Sequence, residues 1–363
     1  MSARRVAYTA ARTLVVEEAV PSPPAAGQVR VEVAYTGICG TDLHVYHGSM
    51  DSRVGPPAVI GHEMSGRIAE IGPGVTMWQP GDHVTVMPLS WCGDCPACRA
   101  GHTHICHQLV FLGLDAPGCL QTGWTVPAGT LVRLPEELRL DHAALVEPTA
   151  VAVHDVRRAE VSPGEKVLVV GGGPIGLLIA VVARRAGADV LLVEPDPYRR
   201  SVAGALGLAN TAPGGEDLAQ TVARWSDGAG AAAAFEVSGA AAGVTTAVDL
   251  LATRGRLIQV AIHPAPREVS LHRFFWRELT LIGARLYDRE DFETAVRLLT
   301  EGAIPAATLI TRIEPLDRAA AAFEALESGA GVMKVLIRCG GAEDAEDRQE
   351  RGAPGEEGEE EDR

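Results

Sequence analysis

Cysteine is scarce, with seven in 363 residues, and aromatic residues make up only 4% of the chain. No apolar segment of the secretory kind follows Met1, so we expect a cytoplasmic protein in a reducing compartment, where structural disulfides do not persist. No apolar run approaches the ~18 residues of a membrane span, which argues against a bilayer anchor. Basic residues are also in deficit. The net charge is −15, and no basic stripe is present to follow a phosphate backbone, which excludes a nucleic-acid partner. Much of that charge is local. Residues 340–363 hold eleven acidic and three basic residues, have no apolar side chains to build a core, and read as a disordered, solvated acidic tail.

What remains is rich in Ala, Val, Leu and Gly, within a 47% hydrophobic total, and is long enough for two domains. The first 150 residues read as short β segments broken by Gly and Pro. Val29, Val31 and Val33 alternate as in a half-buried strand. From about residue 151 strands alternate with helices: a strand at 166–170, a glycine turn, a helix near 174–186, a strand near 190–193, then strands at 232–237, 255–261 and 279–284. This is the pattern of a doubly wound parallel sheet. Two amphipathic helices and a closing strand, "VMKVLIR", follow.

Four of the seven cysteines crowd into fifteen residues as C-x2-C-x2-C-x7-C: Cys92, Cys95, Cys98 and Cys106. Gly93, Pro96 and Gly101 let one small lobe bring the four sulfurs together. Four thiolates suit a closed tetrahedral zinc that leaves no position for substrate, with an iron–sulfur cluster as the rival. His102, His104 and His107 read as solvated lobe residues.

"GGGPIG" places Gly171, Gly173 and Gly176, with Pro174 and Ile175 between them, where a strand turns into a helix. Glycines there permit close approach of a pyrophosphate to the helix N-terminus. Glu194, eighteen residues after Gly176, is placed to bind ribose hydroxyls and repel a 2′-phosphate, which points to NAD. Arg199 and Arg200 keep NADP as the minor alternative.

A nucleotide domain supplies a hydride acceptor but nothing to activate an alcohol. "GICGTDLH" offers Cys39, Thr41, Asp42 and His44; "GHE" offers His62 and Glu63; "LVEPTAV" offers Glu147. Taken singly, Cys39 reads as a small core residue and His62 as a hydrogen-bonded core histidine. Together, cysteine, histidine and carboxylate make an open zinc site.

These motifs, in this order, resemble the zinc-dependent medium-chain alcohol dehydrogenases over nearly the whole chain apart from the tail. The Glu147–Pro148 pair resembles the polyol and vicinal-diol branch, which includes sorbitol and butanediol dehydrogenases. The resemblance implies a GroES-like, mostly-β catalytic domain over residues 1–152, with the structural-zinc lobe at 90–107. A Rossmann NAD-binding domain would occupy 153–284, and the chain would return to the catalytic domain over 285–339. It further implies two zinc ions. Cys39 and His62 would hold the catalytic one, with Glu63 or Glu147 completing the ligation directly or through water, and Asp42 would orient the histidine. Thr41 and His44 would form a proton relay, and Lys334 would contact the cofactor pyrophosphate. Tyr287 would meet the substrate, while Arg285 stands one position off the adjacent arginine–tyrosine pair of the sorbitol branch. The expected reaction is NAD-linked oxidation of a secondary alcohol in a diol, polyol or cyclitol by a homodimer or homotetramer. A threonine or amino-alcohol dehydrogenase and a non-catalytic nucleotide-binding protein are the alternatives.

Overall fold

Val29, Val31 and Val33 are all fully buried in the strand Gln28–Gly37, since side chains two apart share one face of a strand. Each such burial contributes about 1.5–3 kcal/mol. The computed structural model describes residues 3–329 and 331–340; the acidic tail expected at 340–363 lies, from residue 341 on, outside the described residues. The Gln28–Gly37 strand pairs antiparallel with Glu63–Ile71, Gly123–Pro127 and Lys334–Arg338. Its sheet continues through His83–Val86 to Leu131–Arg133 on one side, and to Ile310–Pro315 on the other. The closing strand therefore completes a sheet begun some three hundred residues earlier.

The second sheet has six parallel strands, ordered Asn210–Ala212, Asp189–Val193, Lys166–Val170, Ala231–Glu236, Leu251–Gln259 and Thr280–Gly283. Numbered along the chain, this is 3-2-1-4-5-6, whose switch point lies between Lys166–Val170 and Ala231–Glu236. Ligands bind in the crevice outside the carboxyl ends of the strands there. Val167, Leu168 and Val169 are fully buried, as expected of a strand covered on both faces.

The boundary expected at 152/153 falls inside one helix, Val146–Arg158. Pro148 sits in its first turn, where an amide has no intrahelical acceptor to lose. Arg157 and Arg158 close the last turn, where positive charge favours the dipole. Ala150 and Ala152 are fully buried on it, and it packs on the helices Pro174–Arg185 and Arg289–Thr300. One rod thus joins the two sheets and carries Glu147 at its start.

Candidate active site

Just past the Gln28–Gly37 strand, Cys39 becomes the N-cap of the helix Gly40–Tyr46. Asp42 closes that turn by accepting the Cys39 amide on Oδ2 at 2.9 Å. Its other oxygen lies 3.6 Å from His62 Nδ1, and both side chains are buried. The imidazole of His62 reaches the Cys39 thiol. Ligand atoms of Cys39, His62 and Glu63 fall within 4.8 Å of one another. Asp42 Oδ1, His62 Nδ1 and Glu63 Oε1 are buried without a hydrogen-bond partner, which is costly unless a cation organises them. A thiol, an imidazole and a carboxylate at this spacing fit zinc with an open position. Burial acts to lower the His62 pKa, but Asp42 and Cys39 raise it well above its ordinary value. A ligating metal would displace that proton.

Glu147 shares a cavity of about 640 Å³ with Cys39, Thr41, His44 and His62. Desolvation pushes its carboxyl up to about 7, and Tyr287 donates its hydroxyl to Oε1 at 2.8 Å. Tyr287, expected at the substrate, is fully buried and holds Glu147 from behind. Lys334, expected at the cofactor, is also buried; it pairs with Glu63 and donates to the Ile38 carbonyl at 3.0 Å. Both departures have one cause. Carboxylates in a dry corner need donors, and these two side chains supply them.

The opposite wall of the cavity comes from the nucleotide domain, with Ile175, Val237, Ser238 and Val260. Gly173 caps the helix Pro174–Arg185, with Pro174 in its first turn. Gly171 has φ +111°, and a Cβ on Gly176 would collide with the Gly171 carbonyl; only glycine permits this turn. The helix N-terminus leaves unpaired amides, a ready site for an anion. Glu194, just past its strand, accepts the Gly172 amide at 2.7 Å and the Asp196 amide at 2.8 Å. Arg200 is held by the carbonyls of Glu194 and Pro195, while Arg199 Nη1 lies 3.9 Å from Glu194 Oε2.

The four lobe cysteines converge with S···S distances of 3.5 Å (Cys92–Cys106), 3.8 Å (Cys95–Cys106) and 4.0 Å (Cys92–Cys98). Zinc–sulfur bonds of about 2.3 Å in a tetrahedron give S···S edges near 3.8 Å, whereas a disulfide would bring two sulfurs to about 2.05 Å. All seven cysteines are free. The amides of Cys92, Cys95, Cys98 and Gln108 donate to lobe sulfurs at 3.3–3.4 Å. The Cys98 and His107 amides hold the Cys95 thiol down, to about 6. Such donors favour thiolate, the form a metal needs.

Residues 25–136 match the alcohol dehydrogenase GroES-like domain, and residues 174–301 match the zinc-binding dehydrogenase domain. A 2-dehydro-3-deoxy-L-galactonate 5-dehydrogenase of Pseudoalteromonas atlantica is 46% identical over 92% of this chain and 97% of its own. The chain belongs to the zinc-dependent alcohol dehydrogenase family. Among solved structures, 2R,3R-butanediol dehydrogenase of Bacillus subtilis is 30% identical, with a TM-score of 0.85 over 93% of this chain and 99% of that one. An alcohol dehydrogenase of Escherichia coli CFT073 complexed with NADH gives a TM-score of 0.86 at 28% identity, covering 93% and 100% of the two chains. No helix among the described residues is long and apolar enough to cross a membrane.

Within this dehydrogenase the sequence reading missed three features. Arg53 lines the cavity, and nothing in its local sequence marks it; Arg285, read only as displaced from the arginine–tyrosine pair, lines it as well. Asp155 is fully buried on the Val146–Arg158 helix with neither carboxylate oxygen hydrogen-bonded; eight residues after Glu147, it sits two helical turns along a similar face. His104, expected in solvent, is buried instead. Its Nδ1 lies 2.7 Å from Asp288 Oδ1 and its ring packs edge-on to His154 at 4.9 Å, tying the cysteine lobe to the long helix.

Proposed function

We propose that this dehydrogenase catalyses reversible NAD-linked oxidation of a secondary alcohol on a diol, polyol or sugar chain. The observation that carries the reading is a single cavity with Cys39 and His62 on one wall and the first turn of the nucleotide helix, through Ile175, on the other. Zinc at Cys39 and His62 supplies a Lewis acid that lowers the pKa of the substrate hydroxyl. NAD supplies the hydride acceptor. Glu63, rather than Glu147, lies within the ligand cluster, while Lys334 balances its charge. Glu147 stands in the cavity wall with Cys39 and His62. Thr41 is placed to hydrogen-bond the reacting oxygen and take its proton, and His44, exposed at the cavity rim, passes that proton to solvent. Glu194, gripped by two amides, favours a free ribose hydroxyl, and Arg200 is already committed to carbonyls; both support NAD over NADP. A second zinc belongs to the cysteine lobe, where it is structural.

Association into a homo-oligomer is supported by the edge strand Thr280–Gly283 and the adjoining helix Leu271–Arg277. They expose Leu271, Phe275, Trp276 and Leu281 together. We propose a cytoplasmic location, because the clustered cysteines are arranged for a metal rather than for disulfides.

The test is initial-rate reduction of NAD and of NADP by zinc-replete enzyme. The substrates are 2-dehydro-3-deoxy-L-galactonate, 2,3-butanediol, sorbitol, xylitol, inositol and L-threonine. A rate with NAD on a diol, polyol or sugar-chain substrate is expected. A dominant rate on L-threonine, or no turnover in any pairing, would overturn the reading.

A further inference from the structure

Two guanidinium groups, those of Arg53 and Arg285, line the cavity, and one carboxylate, that of Asp115, lies near both. Arg53, from the helix Asp51–Val54, forks onto Asp115, with Nε to Oδ1 and Nη2 to Oδ2 both at 2.8 Å. Asp115 Oδ2 also accepts the Phe111 amide at 2.8 Å, so both of its oxygens are engaged. Arg285 stands within electrostatic reach of Arg53 and Asp115, yet it makes no hydrogen bond with any described residue. One positive charge is therefore left over, on a side chain that faces the cavity.

The backbone places it there at some cost. Leu286 has φ +59°, a left-handed conformation that a bulky residue adopts only under constraint. The kink sends the neighbours to different destinations: Tyr287 into the core on Glu147, and Arg285 to the cavity wall with Leu286. The other acidic groups there do not compensate the surplus. Glu147 is held by Tyr287, and Asp155 is closed off from solvent. A planar fork of donors matches a carboxylate, whereas a neutral polyol gives it no charge to meet.

We propose that Arg285, backed by the Arg53–Asp115 pair, binds a carboxylate of the substrate, so that the alcohol this enzyme oxidises is a hydroxy acid of the sugar-acid kind. The reacting hydroxyl lies at the Cys39–His62 end of the cavity and the carboxylate at the arginine end. This inference rests on the alcohol-oxidising reading of the same cavity. Arg285 acts on substrate selection and not on hydride transfer itself.

The experiment compares wild type, Arg285→Ala, Arg285→Lys and, as a control on a remote exposed helix position, Arg297→Gln. Each is assayed with NAD on 2-dehydro-3-deoxy-L-galactonate and on neutral 2,3-butanediol and sorbitol. Binding of the acid to the NADH-loaded enzyme is measured by calorimetry at low and high salt. Arg285→Ala should raise KM for the acid at least tenfold more than for the neutral substrates, with a smaller effect on kcat. Arg285→Lys should recover part of the loss, and Arg297→Gln should keep the wild-type selectivity. Acid binding should weaken with salt in wild type and lose that dependence in Arg285→Ala. Equal changes in KM for acid and neutral substrates would overturn the proposal. So would a wild type that oxidises the diols but neither binds nor oxidises the acid, which leaves the alcohol-oxidising reading intact. Salt-sensitive, Arg285-dependent binding of the acid without turnover of any substrate would sink that reading and keep the carboxylate site.

Discussion

At position 42 one carboxylate serves two neighbours: Oδ2 holds the Cys39 amide and Oδ1 faces His62. An asparagine can keep the first bond, through its carbonyl oxygen, but brings no charge to the imidazole. Asp42→Asn should therefore lower zinc affinity or turnover by about 10–100-fold while leaving the melting temperature close to wild type. Metal titration alongside steady-state rates checks both halves, and an unchanged affinity and rate would remove Asp42 from the metal's support. Cys39, Thr41, Asp42, His44 and His62 were legible in the sequence because each lies within a short motif. The Tyr287–Glu147, Lys334–Glu63 and His104–Asp288 pairs were not. Each joins residues far apart in the chain, and what selects the partner is burial of a charge, which no local pattern records.

Among the elements, the helix Val146–Arg158 carries the largest unpaid polar cost: Asp155, fully buried with both oxygens unsatisfied. Burial, and then the charge of Asp291, raises its pKa well above the ordinary carboxylate range. A raised folded-state pKa stabilises fully below the unfolded value, near 3.9, and that stability is lost as pH rises through the folded value. Asp155→Asn cannot ionise, so it should match wild type near pH 4 and exceed it by about 1–3 kcal/mol at pH 8. Denaturant melts across that range test this, and parallel pH profiles would mean that Asp155 is satisfied by a partner such as water. The cysteine lobe is the opposite case, a short element whose role was readable from spacing alone. Cys95→Ser should lower zinc content from about two to about one per chain and depress the melting temperature, with metal analysis and calorimetry as the measures. Full zinc content with an unaltered melt would count against a structural metal. The parallel sheet was equally legible, since most of its apolar runs and its glycine turn are local; its short strand Asn210–Ala212 was not, because three residues carry no pattern. The long helix was not assigned, because Pro148 and the β-branched Val151 and Val153 disguise its first turns.

For the whole molecule, the edge strand Thr280–Gly283 is an exposed apolar feature. Leu281 is 52% exposed, and Phe275 and Trp276 stand nearby at 76% and 67%. Leu281→Glu should shift wild-type oligomers toward monomers in light scattering after gel filtration, because a charge on an apolar edge opposes strand pairing. A wild type already monomeric at micromolar concentration would dismiss that surface as a self-association site. Chain order also has a temporal side. Lys334 neutralises Glu63 from the Lys334–Arg338 strand, which inserts beside Gln28–Gly37. During translation at roughly 5–20 residues per second, the six strands of the nucleotide domain leave the ribosome first. The counter-charge at the metal corner is delivered after all six of them. A nascent chain halted before that strand holds a complete cofactor fold but an unbalanced Cys39–His62–Glu63 cluster, so maturation of the metal corner waits for a strand made after the whole nucleotide domain.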